Sequence, residues 1–264
     1  MSEVMYYAKR ILPPLVALQL GMIGLGLLIT KVLAGVWPFT VEDGVNRYFA
    51  AHRTDSRNAV TEFFSLVGST PVIIGVTFVA ALVLLRTLHS WREPIFLCAA
   101  VSAQAIVFFF TTLVIDRQRP RVHHLDASPP TSSFPSGHTS AAFALYAGLA
   151  LILAGLVRRT WAKWLCWLLV LVPVCVATSR LYRGMHHPSD VTASFLNGAL
   201  CITIMALAVL RPAAHGSTAH GSAARGSTAH GSTAHGSTAH GSTALSPAAR
   251  TGSSSPRPGR SAPR

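Results

Sequence analysis

Charge is what this sequence has least of. Only 12% of its 264 residues are charged, about half the share of an ordinary soluble domain. Acids are scarcest, nine against 22 Lys and Arg, so no large acidic surface is available for a cationic partner. Cysteine supplies no framework. Cys98, Cys166, Cys175 and Cys201 fall inside apolar runs without C-x-x-C spacing or nearby ligands, which excludes a thiol metal site and reads as buried small hydrophobes. The apolar runs lack the polar stripe of a soluble amphipathic helix; "VIIGVTFVAALVLL" has none. The first run is longer than a signal-peptide core and has no Ala-x-Ala exit, so cleavage is not expected. A formal net charge of +13 and a pI near 10.8 raise nucleic acid as a partner. No recognition helix or stacking-aromatic pattern accompanies them, which leaves an anionic lipid or anionic substrate as the simpler partner.

What is present is apolar length. Half the residues are hydrophobic, and six runs lie near 11–36, 65–86, 94–115, 137–157, 162–179 and 191–211. Each has about the ~20 residues that a ~30 Å hydrocarbon slab demands. The expected fold is all-α, a polytopic membrane bundle of about six transmembrane helices. The basic loops "RTLHSWRE" and "VRRTWAK", with Lys9 and Arg10, point to the cytoplasm by the positive-inside rule. Both termini are then expected inside the cell, and the connections Phe39–Phe64, Asp116–Pro135 and Leu181–Asp190 outside. Residues 1–212 form the membrane domain. From 213 to 264 the chain is a low-complexity tail with His-Gly-Ser-Thr-Ala repeats, whose period matches neither helix nor strand, and a disordered spacer is expected.

Three polar clusters stand at the ends of these runs. In "TTLVIDRQRPRV" Pro120 favours extended backbone before it, and alternation would then put Arg117, Arg119 and Arg121 on one side. Guanidinium forks in that array suit phosphate oxygens. In "SSFPSGHTSAAFALYAGLAL" Ser136 and Gly137 sit where a helix N-terminus offers free N–H groups to an anion, with His138 on the first turn. In "SRLYRGMHHPSDV" Arg180 adds a cation, Pro188 suits a first helical position, and Asp190 can orient a neighbouring histidine. Spacing alone does not choose between His186 and His187. Together the clusters hold what phosphoryl transfer without a metal requires: cations, N–H donors, an attacking histidine and a proton donor.

These clusters resemble the three signature motifs of the type-2 phosphatidic acid phosphatase superfamily, Lys-x6-Arg-Pro, Pro-Ser-Gly-His and Ser-Arg-x5-His-x3-Asp. The second reads Pro135-Ser136-Gly137-His138, and the third Ser179-Arg180, five residues, His186, three residues, Asp190. The resemblance spans roughly residues 10–211 and implies a six-span layout with the active site at the extracytoplasmic ends. It implies His186 as the phosphate-attacking histidine, Asp190 as its orienting carboxylate and His138 as general acid. Arg119, Arg180, Ser136 and Gly137 would form the phosphate cradle, and His187 a packing position. The first motif departs from the pattern: Thr112 stands where lysine is expected, and Arg117 is the expected substitute. The implied protein is a multi-pass cell-membrane phosphatase without metal or other cofactor, whose partners are the bilayer and a membrane lipid phosphate. Polyprenyl phosphate or diphosphate is favoured, with phosphatidate-type lipids second. A lipid phosphotransferase using the same site and a non-catalytic anion-binding membrane protein are the alternatives. A metal site at His123, His124 and Asp126 is disfavoured by the arginines crowding that loop.

Overall fold

Six helices of the computed structural model are long and apolar enough to cross a bilayer: Met5–Val32, Thr70–Leu88, Arg92–Val114, Gly137–Leu156, Thr160–Tyr182 and Pro188–Leu210. The structure describes residues 3–128 and 130–210. Among them no strand occurs. The expected repeat tail lies outside the described residues.

Helix α1 (Glu3–Leu27) runs on through a π turn, Leu28–Val32. Two shorter helices follow, α2 (Glu42–Ala51) and α3 (Asp55–Val67). The spans resume with α4 (Thr70–Leu88), α5 (Arg92–Val114) and α6 (Gly137–Leu156). The fifth span is α7 (Thr160–Trp167) and α8 (Leu171–Tyr182), joined by a 3-10 turn. Helix α9 (Pro188–Met205) is the last. The Phe39–Phe64 stretch, expected as a connection, thus contains two helices. The second span begins at Thr70 rather than near residue 65. Residues 65–67 finish α3, and Ser65 is turned inward at the site.

Side-chain size explains the arrangement. Apolar residues as large as Ile74, Phe78, Leu113 and Leu165 stay exposed on the bundle surface, where lipid tails are as good a solvent as a protein interior. Helix α6 lies at the centre, against α5, α8 and α9. It can do so because most of its inward positions are small, among them Ala142, Ala144, Ala147, Gly148 and Ala150, with Leu145 and Ile152 the large exceptions. Small residues let membrane helices approach closely. A polar trio ties the centre together. Ser140 donates to Gln104 Oε1 (2.8 Å), and Asn197 donates to Ser140 Oγ (2.9 Å). Of the four cysteines only Cys201 is buried, and Cys98 is exposed, so the expected burial of all four does not hold.

The two ends of the bundle differ. At one, Arg10 and Arg92 donate to the last carbonyls of the sixth span, Leu207 and Leu210, and Trp91, Trp161 and Trp164 are exposed in the manner of an interfacial aromatic belt. At the other, α2, α3 and the segments 115–128, 130–136 and 183–187 gather over the ends of the spans, with α3 against α8.

Candidate active site

The second and third clusters sit where their helices begin. Ser136 is the N-cap of α6, its hydroxyl accepting from the Thr139 N–H (3.5 Å). Helix α9 opens with Pro188 at its first position. Asp190 closes the start of that helix by accepting the His187 N–H (2.8 Å). Between α8 and α9 the chain must reverse within a few residues. Gly184 makes this possible at φ +76°, and a Cβ there would lie 2.6 Å from Val122. Arg53 clamps the same turn by donating to the carbonyls of His123 (2.9 Å) and Tyr182 (3.0 Å).

A cavity of about 870 Å³ opens beneath these segments. Its polar end is lined by Arg119, Asp126, Gly137, His138, Arg180 and His186. Its apolar flank runs along α4 and α5, through Ile73, Ile74, Val101, Phe108 and Phe109. Ile74 and Phe109 are among the most exposed large apolar side chains of that flank. Gly137 keeps the α6 N-terminus open to it; a Cβ there would meet the Phe108 ring at 2.9 Å.

His186 is buried, and its Nδ1 lies 2.7 Å from the Ser133 carbonyl. A carbonyl only accepts, so Nδ1 carries the proton and Nε2 is left for the cavity with its lone pair. Burial first, and then the Arg180 guanidinium, push the His186 pKa from 6.5 down to about 3. The imidazole is therefore neutral near pH 7. The Nε atoms of Arg119 and Arg180 are buried without a hydrogen-bond partner among the described residues, so two guanidiniums at the cavity hold unspent donors. Arg119 Nη1 is anchored on the Met185 carbonyl (2.8 Å). Arg180 Nη1 is anchored on Ser65 Oγ (2.6 Å) and on Asp126. Burial alone would raise the Asp126 carboxyl, but Arg180 and Arg183 outweigh it and hold it below its usual range.

The structure brings together His138, His186, Arg119, Arg180 and Gly137 around one cavity. Four expectations change. Arg117 does not line the cavity: its fork pairs with Glu42 (2.6 Å) and with Asp190. The expected alternation does not hold, because the carboxylates of Glu42 and Asp190 draw the Arg117 guanidinium away from the cavity. Thr112 does not line the cavity either; its hydroxyl donates to Phe109 O of its own turn (2.8 Å). Ser136 is fully buried off the cavity, giving its N–H to Ser194 Oγ (2.7 Å), so it shapes the helix start rather than the cradle. Asp190 lies 3.8 Å from His186 Nδ1, and the hydrogen bond to the ring is taken by Ser133 instead. His187 bridges Asp190 (3.3 Å) and Asp43 (3.2 Å), which is more than packing. Of the loop residues considered for a metal, Asp126 is occupied by arginines, and His124 lies against Ser128 Oγ (2.8 Å). Sequence reasoning missed Ser65, Ser133 and Glu42 altogether. No local signal marks them; each is defined by a partner 55 or more residues away in the chain, as with Ser133 and Asp190 (2.5 Å).

Fold and site together define a multi-pass membrane protein with a cavity lined by histidines and arginines at one end of its spans. Residues 93–212 match the family model of the PAP2 superfamily, which establishes the resemblance of the motifs over that segment. The structure is similar to the crystal structure of a transmembrane PAP2-type phosphatidylglycerolphosphate phosphatase from Bacillus subtilis, at TM-score 0.61 and 19% identity, over 72% of this chain and 93% of that one. It is also similar to Aquifex aeolicus LpxE, at TM-score 0.51 and 20% identity, over 64% of this chain and 97% of that one. No curated protein sequence matches the chain. The fold is that of the membrane PAP2 phosphatases.

Proposed function

We propose that the chain hydrolyses the phosphate of a membrane lipid through a phosphohistidine at His186, with the site on the extracytoplasmic side. The observation that carries this reading is the orientation of His186. Its Nδ1 is committed to a carbonyl, and its other nitrogen faces a cavity that also holds His138 and two guanidiniums. In the first half-reaction Nε2 attacks phosphorus, the bond to the lipid oxygen breaks, and His138 supplies the proton that oxygen needs. In the second, His138 takes a proton from water. The water oxygen attacks the phosphohistidine, and phosphate leaves with the histidine restored. Arg119, Arg180 and the N–H groups at the start of α6 offset the charge on the equatorial oxygens. The apolar flank along α4 and α5 supports a substrate that keeps its chain among lipid tails while its headgroup enters the pocket. Within that class, polyprenyl phosphates and diphosphates are the favoured substrates and phosphatidate-type lipids the second.

The test is phosphate release by purified protein in mixed micelles, over polyprenyl, glycerolipid and phosphosugar-lipid substrates, with His186→Ala as control. Turnover of a lipid phosphate that is indifferent to EDTA, blocked by vanadate and absent in His186→Ala is expected. Label that moves from lipid phosphate to an alcohol acceptor rather than to water would make the protein a phosphotransferase. Loss of turnover in EDTA with recovery in Mg²⁺ would defeat the metal-free reaction.

A further inference from the structure

The short helix α2 lies outside the segment that matches the family model, yet three of its polar side chains reach the residues around His186. Glu42 is buried. It accepts from the Ser189 N–H (2.7 Å), from Ser189 Oγ (3.0 Å) and from Arg117 Nη2 (2.6 Å). The other arm of that same guanidinium holds Asp190. Asp43 receives His187, whose other ring nitrogen faces Asp190. One turn on from Glu42, the fully buried Asn46 donates to the carbonyls of Leu181 (3.1 Å) and of His186 itself (3.0 Å). Arg117 also acts through its backbone: its carbonyl accepts the Ser133 N–H (2.9 Å). Ser133 in turn gives its hydroxyl to Asp190 (2.5 Å) and offers its carbonyl to His186 Nδ1 (2.7 Å).

We propose that α2 positions the nucleophile: Glu42 fixes Arg117, Arg117 fixes Asp190 and Ser133, and these hold the His186 ring in one tautomer with Nε2 toward the phosphate. The extra arginine of the first cluster is thereby a positioning residue behind the nucleophile, not a member of the phosphate cradle. A buried carboxylate–guanidinium–carboxylate row leaves Arg117 no freedom to swing over Asp190 in a two-pronged grip. Such a grip would pull Asp190 away from Ser133 and the His187 N–H. Without the Glu42 charge the grip becomes available, and the ring loses its fixed acceptor. The proposal rests on His186 being the nucleophile, and its test is chosen to stand apart from turnover.

Two readouts decide it. The first is nitrogen NMR of ¹⁵N-histidine protein in micelles, with the His186 signals assigned by difference from His186→Ala. Wild type should give a single Nδ1–H tautomer, and Glu42→Gln a mixture. The second is steady-state kinetics. Glu42→Gln and Arg117→Gln should each lower kcat roughly tenfold to hundredfold, the range found for residues that orient a reacting ligand. KM should stay within about twofold, since binding of the ground-state phosphate is untouched, while vanadate, which mimics the transition state, should weaken along with kcat. The double variant should lose no more than Arg117→Gln alone, because both changes break one chain of contacts. Should Glu42→Gln fail to fold, Glu42→Asp, which keeps the charge and withdraws it by one bond, should give a smaller shift in both readouts. Unchanged His186 signals in a folded Glu42 variant would overturn the proposal. So would a rise in KM with kcat intact, which would return Arg117 to the phosphate cradle. A wild type inactive on every lipid phosphate would defeat the proposed reaction, while the tautomer measurement would still decide the role of α2.

Discussion

On the proposed reaction, Asp190→Asn separates what holds the His186 ring from what stabilises it during phosphoryl transfer. The carboxylate is fully buried. It accepts from Ser133 Oγ (2.5 Å) and the His187 N–H (2.8 Å) and pairs with Arg117. Where a carboxylate alone fixes a catalytic histidine, the same change costs ~10⁴-fold through the wrong tautomer. Here the Ser133 carbonyl, 2.7 Å from Nδ1, fixes the proton, and Asp190 stands 3.8 Å away. Its main contribution is then electrostatic, attraction for the positive charge that grows on the ring as Nε2 bonds to phosphorus. Two full charges at that distance interact by ~4 kcal/mol at an effective dielectric of about 20. Partial charge development brings this to ~2–4 kcal/mol, a rate loss of roughly 30- to 1,000-fold. Arg117 keeps Glu42 as a partner (2.6 Å), so the fold should lose less than the ~3–5 kcal/mol of a stranded buried charge. The assay is phosphate release at saturating lipid, with base-quenched phosphohistidine measured in the first turnover. The slowing should fall on formation of the phosphohistidine. A loss under fivefold would refute the electrostatic coupling. A loss of ~10⁴-fold with a changed His186 tautomer would refute the assignment of the ring to Ser133.

Four further outcomes are expected. His186→Ala should abolish turnover, while His187→Ala should retain a measurable rate in the same assay, because His187 reaches Asp190 and Asp43 but not the cavity; the reverse pattern would move the nucleophile by one residue. Thr112→Lys should leave kcat/KM within about threefold, since the threonine hydroxyl bonds its own turn; a large gain would place position 112 at the phosphate. Stability in micelles should fall as the pH drops, by up to ~1.4 kcal/mol per unit from this one group. The folded-state pKa of His186 is lowered from 6.5 to about 3, so its contribution is full above ~6.5 and is lost between ~6.5 and ~3. Thermal melts of His186→Asn should be flatter over that window. An impermeant thiol label on Ala127→Cys should react in intact cells while one on Thr160→Cys should not, and the opposite pattern would invert the proposed orientation.

Hydropathy was legible because it is a property of single residues against a slab solvent: a run of twenty apolar side chains partitions into lipid whatever its neighbours do. The six spans follow from it, with ends displaced by a few residues. Pro188 and Ser136 mark the starts of α9 and α6 by local backbone chemistry, also readable in one dimension. The short motifs identified His138, His186, Arg119 and Arg180 because a fixed spacing at a helix end brings them to one cavity. What the sequence could not decide was the choice of partner among like groups. Arg117 and Arg119 are two residues apart and chemically identical. Arg119 lines the cavity, and Arg117 turns to Glu42, 75 residues earlier in the chain. That choice belongs to the packed state, where the position of α2 puts a buried carboxylate within reach of one guanidinium and not the other. The same holds for Ser133, whose carbonyl displaces Asp190 as the partner of His186 Nδ1. Pairing energies in a buried site depend on distances of a few tenths of an ångström between segments far apart in sequence, and only the tertiary structure sets those distances.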